Sequence, residues 1–308
     1  MIALRRMAYL SIAASLATMG LKFTAFWLTG SVSLFSDAAE SSVNLVAGLI
    51  ALAAVTVAGR PADEDHAYGH DKVEYLSSGA EGALILVAAV TIIYAALERF
   101  VNPAPLADLG PGLVVSAVAA LVNWLVARTM LRVGHQYDSI TIEADARHLL
   151  TDVWTSGGVI AALLIVMVTP PSWAILDPVI ACVVGAKIIL TGIELVHRSY
   201  HGLMDTALPA EERRLIDTSV REAAGSAAAY HNLRTRKSGA RRFVDLHLTV
   251  PGATTVQEAH DICNQIEAAI ESQLPNVHTT IHVEPEEDPS SWEGLVPTAA
   301  ADPPAPTP

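Results

Sequence analysis

The chain has 308 residues, of which 52% are hydrophobic and only 17% are charged. Soluble domains carry about 25% charged residues, so the composition disfavours an ordinary soluble protein. The charge is unevenly spread: 27 of residues 1–200 are charged, against 24 of residues 201–308. The net charge of -13 disfavours a nucleic-acid partner, because counterion release requires a basic surface. Two cysteines cannot build a disulfide framework.

Six apolar stretches in the first 200 residues are long enough to cross a bilayer. About 20 helical residues at a rise of ~1.5 Å per residue span the hydrocarbon layer. The predicted spans are residues 7–29, 32–58, 77–101, 110–131, 148–168 and 175–196.

Basic residues lie on one side of this array of spans. They are Arg5, Arg6, Arg60, Lys72, Arg128, Arg132, Arg147 and Arg198. The connections on the other side, at residues 29–31, 102–112 and 169–173, contain no Lys or Arg. The positive-inside rule therefore predicts a multi-pass protein with both termini in the cytoplasm. Lys22 and Arg99 lie inside span ends on the opposite side, where their long side chains are expected to reach the membrane surface.

Two spans carry polar side chains that lipid disfavours: Glu40 and Asn44 in span two, and His148 and Asp152 in span five. Each pair has i, i+4 spacing and lies on one helix face. An ionisable group deep in a membrane helix costs about 2.5–3.5 kcal/mol, so these faces should meet a partner or a wet cavity. If the two faces meet, two carboxylates, one imidazole and one amide form a site for a divalent transition metal. Interhelical hydrogen bonds are the alternative.

The other polar residues inside the spans receive different interpretations. Asp37 lies one turn before Glu40 and either caps span two or widens its acidic face. Glu81, Glu98 and Asn123 are interpreted as packing or interface residues.

The connection between spans two and three offers a second set of metal ligands. Asp63, His66 and His70 supply one carboxylate and two imidazoles within eight residues. The alternative is a solvated acidic loop with two surface histidines.

The last third of the chain reads as helix, strand, strand, helix, strand, which predicts a small antiparallel α+β domain. The predicted elements are residues 209–224, 231–237, 242–250, 255–274 and 277–284. Alternation places His247 and His282 on polar strand faces. Residues 286–308, which are acidic and rich in proline, are predicted to be a disordered tail.

This succession of motifs resembles the cation diffusion facilitators, which are antiporters of metal ions and protons. The motifs are six spans, paired polar ligands on spans two and five, Asp-x-x-His-x-x-Gly-His in a loop, and a tail domain bearing histidines. The resemblance covers about residues 5–285. It implies an α-helical six-span domain at residues 1–200, a C-terminal α+β metallochaperone-like cytoplasmic domain at residues 201–285, and the tail.

The resemblance also implies the ligand sets. The transport site falls on Glu40, Asn44, His148 and Asp152, and the loop site on Asp63, His66 and His70. A cytoplasmic cluster falls on His231, His247, His260, His282 and Glu284. Lys72 and Asp205 match a charge interlock at the dimer junction. In this family, span two usually offers His or Asp followed four residues later by Asp, so Glu40 and Asn44 depart from the family pattern. Glu284 is a second departure, because members of the family often carry Asp at that position.

The function implied is export of a divalent metal from the cytoplasm across the cell (inner) membrane, driven by protons carried on His148 and Asp152. Zn²⁺ is the expected substrate, with Cd²⁺, Fe²⁺ and Co²⁺ as alternatives, since imidazole favours these over Mn²⁺. We expect a homodimer in the lipid bilayer, with no organic cofactor. No Walker A, His-Glu-x-x-His or Gly-x-Ser-x-Gly motif is present, which disfavours ATP use and an enzyme. The alternative function is a membrane-bound metal sensor or scaffold.

Overall fold

A computed structural model of the chain describes residues 2–29, 32–102, 110–168, 175–225 and 228–292. The side chains of residues 32–40 and 159–168, among others within the helices, lie outside the described part. The chain divides into two compact units, Met1–His201 and Gly202–Pro308. The two units are treated separately below.

Six long helices account for most of the first unit. They are α1 (Ile2–Thr29), α2 (Val32–Ala58), α3 (Val73–Val101), α4 (Gly110–Tyr137), α5 (Ile140–Val168) and α6 (Leu176–Leu203). Several helices continue past the predicted spans, and only Asp138 and Ser139 separate α4 from α5. An apolar window marks the part of a helix that suits lipid, whereas the backbone hydrogen bonds continue into the polar flanks.

Three helical stretches with described side chains are long and apolar enough to cross a membrane. They are Val73–Glu98, Ala117–Tyr137 and Pro178–Leu203, and Asn44–Ala58 is a shorter apolar helix. These stretches belong to α3, α4, α6 and α2, in agreement with four of the predicted spans.

Helix α5 lies at the centre of the bundle because it contributes to two separate apolar clusters. Ile142, Ala146 and Leu149 pack with residues of α1, α2 and α4. Ala144 packs with residues of α3 and α6, including Ile85 and Ile188. The polar residues of α5 are therefore enclosed by the other helices.

Glycines bring α3 and α6 close together. A Cβ atom on Gly82 would lie 3.1 Å from the carbonyl oxygen of Gly192, and one on Gly192 would lie 2.8 Å from Cγ of Leu86. Such close backbone approach is the usual role of small residues between membrane helices. Ser199 Oγ adds a hydrogen bond of 2.6 Å to the carbonyl oxygen of Tyr75.

The second unit contains two helices and a three-stranded sheet. The elements are α7 (Ala210–Ala224), β1 (Ala229–Ser238), β2 (Arg241–Val250), α8 (Val256–Gln273) and β3 (Val277–Pro285). Strand order is β1-β2-β3, and β1 pairs antiparallel with β2. Val244, Leu246 and Leu248 form the core with residues of both helices.

The prediction of an antiparallel sheet is wrong for β3, which pairs parallel with β2. A parallel pair requires a crossover connection, and α8 provides it by returning the chain to the starting end of β2. A capping box begins α8, since Thr255 and Glu258 exchange side-chain and backbone hydrogen bonds.

Residues 286–292, predicted to be disordered, are ordered. The backbone N–H of Glu286 donates to the carbonyl oxygen of Val250 at 2.8 Å. A 3₁₀ turn follows at Pro289–Trp292, where the indole N–H of Trp292 donates to Glu286. These contacts attach the segment to the end of β2, which composition alone does not reveal. Residues 293–308 of the predicted tail lie outside the described part.

Candidate metal centres

The polar faces of α2 and α5 meet at Asp152. Its Oδ2 atom accepts hydrogen bonds from Nδ2 of Asn44 and from Nδ2 of Asn123, both at 3.0 Å, and lies 3.4 Å from Nζ of Lys22. All four side chains are buried. Through this one oxygen atom of Asp152, α5 is bonded to side chains of α1, α2 and α4.

His148 lies one helical turn before Asp152 and is also buried. Its Nδ1 atom has no hydrogen-bond partner among the described residues. An unpaired buried imidazole nitrogen is costly unless something binds it, which suits a ligand for a passing ion. The side chain of Glu40, the fourth predicted ligand, lies outside the described part of the chain.

Two residues contact Asp152 although the sequence analysis does not place them in the site. Lys22 does not reach water: its side chain is 1% exposed, and its Nζ atom lies 3.4 Å from Oδ2 of Asp152. Asn123, interpreted as a packing or interface residue, does lie between helices, and it donates to the same carboxylate. The i, i+4 pattern identifies residues within α2 and α5, but the contributions of α1 and α4 depend on how those helices are rotated in the bundle.

The loop residues predicted to bind metal do lie together. Asp63, His66 and His70 have ligand atoms within 4.8 Å of one another. Asp63 Oδ1 lies 3.3 Å from Nδ1 of His66, and Asp63 Oδ2 lies 3.2 Å from Nε2 of His70. Gly69, at φ 88°, turns the chain between the two histidines, a conformation that glycine adopts without strain.

The backbone N–H of His66 donates to Asp63 at 2.8 Å, and this bond lowers the pKa of the Asp63 carboxyl from its usual value. Hydrogen bonding and charge from the two imidazoles act in the same direction. The Asp63 carboxyl therefore favours its ionised form, which is the form that a metal ion binds.

A third cluster lies across the sheet of the second unit. His231 pairs with His247 in the β1–β2 register, and His247 pairs with His282 in the β2–β3 register. The three rings therefore form a row, with centroids 5.2 and 5.0 Å apart. Glu284, two residues after His282, lies on the same face of β3.

Glu284 joins the histidines of this row. Its Oε2 atom lies 3.1 Å from Nε2 of His231, and its Oε1 atom lies 2.9 Å from Nδ1 of His247 and 3.5 Å from Nε2 of His282. Three of these residues, His231, His247 and Glu284, have ligand atoms within 4.8 Å of one another. His231 is almost fully buried, so the cluster has one enclosed side and one open side.

Three further predicted residues lie apart from the clusters. His260 is exposed on α8 and does not belong to the group formed by His231, His247 and Glu284. Lys72 occupies the N-cap position of α3. Asp205 lies 3.5 Å from Nη1 of Arg236 within the same chain.

Both units match one family of known proteins. Residues 8–204 match the family described as the cation efflux transmembrane domain, and residues 208–286 match the one described as the cation efflux protein, cytoplasmic domain. The transporter sll1263 of Synechocystis, itself described as uncharacterized, is 44% identical over 94% of this chain and 93% of its own length.

The cation-efflux pump FieF of Klebsiella pneumoniae is 34% identical, over 96% of this chain and 94% of that protein. FieF of Escherichia coli is 31% identical, over 86% of this chain and 87% of its own. A solved zinc form of the transporter CzrB is 43% identical, covering 26% of this chain and 91% of that one with a TM-score of 0.25.

The family match includes both units in the predicted order, and relatives above 30% identity cover nearly the whole chain. The chain therefore belongs to the cation diffusion facilitator family, whose members are cation-efflux transporters rather than enzymes.

Proposed function

We propose that this transporter exports Zn²⁺ from the cytoplasm in exchange for protons, through a site formed by Glu40, Asn44, His148 and Asp152. The observation that supports this most strongly is the 3.0 Å contact between Asn44 and Asp152. It brings the polar faces of α2 and α5 to one buried point, where metal ligands on two helices can act together.

Zinc binding at Asp152 exchanges its three donors for the metal. Lys22 moves away from Oδ2, because two cations cannot share one carboxylate oxygen in a buried site. The amide of Asn44, now a donor through Nδ2, turns to offer its oxygen as a ligand. The unpaired Nδ1 of His148 completes the protein ligands on α5.

The ligand types favour Zn²⁺ as the substrate. An imidazole with carboxylate and amide oxygens suits Zn²⁺ in tetrahedral geometry. Cd²⁺, Fe²⁺ and Co²⁺ accept similar sets, whereas Mn²⁺ prefers oxygen alone.

Protons compete with the metal for the same atoms. Zinc requires a neutral His148 and an ionised Asp152, so protonation of either group releases the metal. We assign coupling to these two residues. Rocking of the bundle between inward-open and outward-open states then exchanges zinc for protons without ATP.

The proposal extends to the assembly. We place the protein in the inner membrane as a homodimer with both termini in the cytoplasm, and propose that Lys72 and Asp205 interact at the dimer junction. The unit boundaries are proposed at residues 1–200 and 201–285, with residues 286–292 attached to the second unit and the rest of the 286–308 tail outside the described part. The loop and cytoplasmic clusters, together with His260, are proposed to bind further zinc ions.

A metal sensor or scaffold is the alternative function. It is favoured by one observation: both three-ligand groups found among the described residues lie in a loop or in the second unit. Such a protein binds zinc without moving it.

Zinc flux into proteoliposomes separates the two functions. In chains that are inserted with the cytoplasmic face outward, export corresponds to zinc uptake into the lumen. An acidic lumen should drive this uptake by the wild-type protein, because protons leave the lumen as zinc enters. His148→Ala and Asp152→Asn should each lower this uptake at least 100-fold, whereas His197→Ala, at an exposed histidine of α6, should retain it. Zinc binding without uptake by the wild-type protein would favour the sensor, and wild-type uptake by Asp152→Asn would refute the site.

A further inference from the structure

The segment that follows β3, residues 286–292, leads from one member of the cytoplasmic cluster to another. Glu284, whose carboxylate contacts the row of histidines, lies near the end of β3, just before this segment. Trp292 ends the segment, and its indole ring lies against the imidazole ring of His231 in β1. The ring centroids are 5.5 Å apart, and the ring planes are tilted by 34°.

Hydrogen bonds anchor the start of the segment to the central strand of the sheet. In addition to the bond between Glu286 and Val250 described above, the carboxylate of Glu287 accepts a hydrogen bond of 2.8 Å from the backbone N–H of Gly252. Strand β2 lies between β1 and β3. The segment therefore leaves β3, passes the end of β2 and reaches β1 through Trp292.

The 3₁₀ turn at the end of the segment fixes the indole ring. Ser291 is buried, and its hydroxyl donates to the carbonyl oxygen of Pro285 at 2.8 Å. The indole N–H of Trp292 donates to the carbonyl oxygen of Glu286 at 3.0 Å. The polar edge of the ring is thus engaged within the segment, and its apolar surface contacts His231.

The two sides of the cluster differ. His231, which Trp292 contacts, is almost fully buried. His247 is half-buried and His282 is exposed, and these two line an open pocket together with Asp245. A metal ion can therefore reach the cluster from the pocket, on the side away from the buried histidine.

A fixed imidazole binds a metal ion more tightly than one that must be ordered on binding. His231, His247 and Glu284 supply two imidazoles and one carboxylate within 4.8 Å, a set of ligands that suits Zn²⁺. Aromatic rings with centroids about 4.5–7 Å apart attract one another, so the indole restricts the rotation of the His231 ring.

We propose that Trp292 is a positioning residue of the cytoplasmic zinc cluster. It orients His231 for the metal and closes the enclosed side of the cluster, so zinc enters and leaves through the pocket beside His247 and His282. The inference rests on the zinc binding proposed above for this cluster, and it does not depend on transport.

Zinc affinity in a chain that retains the cytoplasmic cluster alone tests the positioning role. The parent is the full chain with Asp63→Asn and Asp152→Asn, and equilibrium dialysis is performed with Zn²⁺ alone. Trp292→Ala should raise the Kd about fivefold, whereas Trp292→Phe, which keeps an aromatic ring, should stay within about twofold of the parent. Trp27→Ala, at an exposed tryptophan of α1, is the control. An equal Kd for Trp292→Ala and Trp27→Ala overturns the proposal.

Two further readouts separate the orientation of a ligand from a general stabilisation of the fold. Release of zinc to an excess of chelator should be about fivefold faster in Trp292→Ala than in the parent. The visible absorption of Co²⁺ bound at the cluster reports the ligand geometry, and it should change in Trp292→Ala but not in Trp292→Phe. If Trp292→Ala unfolds at a lower temperature but keeps the release rate and the Co²⁺ spectrum of the parent, its role is structural and the proposal is overturned.

Failure of the cluster itself gives a different result. A parent that binds no zinc overturns both the cytoplasmic cluster and the role of Trp292, while the transport site is tested separately by flux. A parent that binds zinc, with the same affinity in Trp292→Ala, overturns the role of Trp292 and leaves the cluster in place.

Discussion

Asp152 depends on donors from three other helices, and Lys22 is the one that brings positive charge. The Nζ and Oδ2 atoms are 3.4 Å apart with both side chains buried. Breaking a buried ion pair by removing one partner leaves the other charge without compensation, which costs about 3–5 kcal/mol. Lys22 is thus expected to stabilise the ion-free state and to compete with the metal.

Lys22→Met should therefore destabilise the protein without zinc and bind zinc more tightly. We expect the free energy of unfolding to fall by about 3–5 kcal/mol, and zinc to restore more stability than it adds to the wild-type protein. Thermal unfolding with and without zinc measures both effects. Lys187→Met, at an exposed lysine of α6, is the control. Equal midpoints for the two variants in the absence of zinc would contradict the role of Lys22.

Zinc binding at the loop site should depend on the ionised carboxylate of Asp63. The bond from the His66 backbone lowers the pKa of Asp63, so this group remains ionised in mildly acidic solution. The Asp152→Asn background, which lacks the proposed transport site, allows zinc binding at the loop to be measured by itself. Asp63→Asn should weaken it at neutral pH, while Asp65→Asn, two residues along, should not. Equal affinities in the two loop variants would argue against Asp63 as a ligand.

At the scale of helices and strands, periodicity predicted most of what is observed. Apolar windows located six helices, and i, i+4 spacing located the faces of α2 and α5. The row formed by His231, His247 and His282 depends on the register between the three strands, which the spacing of residues within each strand does not determine. A bulge between His231 and Arg234, with Asn232 at φ 51°, shifts the β1 register by one residue. Lys22 could have been recognised from the sequence, since Ser11, Ser15, Thr18 and Lys22 recur every three or four residues, and all four are buried on α1.

The contact between α3 and α6 tests helix packing directly. Gly192→Ala should lower the free energy of unfolding by about 1–3 kcal/mol, because the added methyl group meets Leu86 at 2.8 Å and the backbone of Gly82 at 3.2 Å. Gly157→Ala is the control, as its Cβ would meet nothing within 4 Å. Denaturation in detergent compares the two. A Gly192 variant as stable as the control would show that the helices separate at little cost.

For the whole molecule, the three clusters differ in exposure: the α2–α5 site is buried, the loop cluster is largely exposed, and the cytoplasmic cluster is open on one side only. Burial suits the transport role that we propose for the α2–α5 site. Of the three clusters, as far as the described side chains go, the buried one alone combines residues of two membrane helices, Asn44 of α2 with His148 and Asp152 of α5. The other two are suited to capture or regulation, because metal can reach them without movement of the bundle.

Glu284→Gln should remove zinc from the cytoplasmic cluster alone. The carboxylate contacts all three histidines of the row, so a neutral amide should weaken zinc binding there by at least tenfold. Equilibrium dialysis at limiting zinc should show fewer ions per chain, with Glu271→Gln on α8 as the control. Zinc binding equal to that of the control would exclude Glu284 as a ligand.

The most direct measurement is a zinc-bound structure of the full chain with the metal located by anomalous scattering. We predict a peak about 2.0–2.2 Å from Nδ1 of His148 and a carboxylate oxygen of Asp152, with Lys22 displaced from that oxygen. Zinc found only at the loop and cytoplasmic clusters, with Lys22 still beside Asp152, would contradict the account.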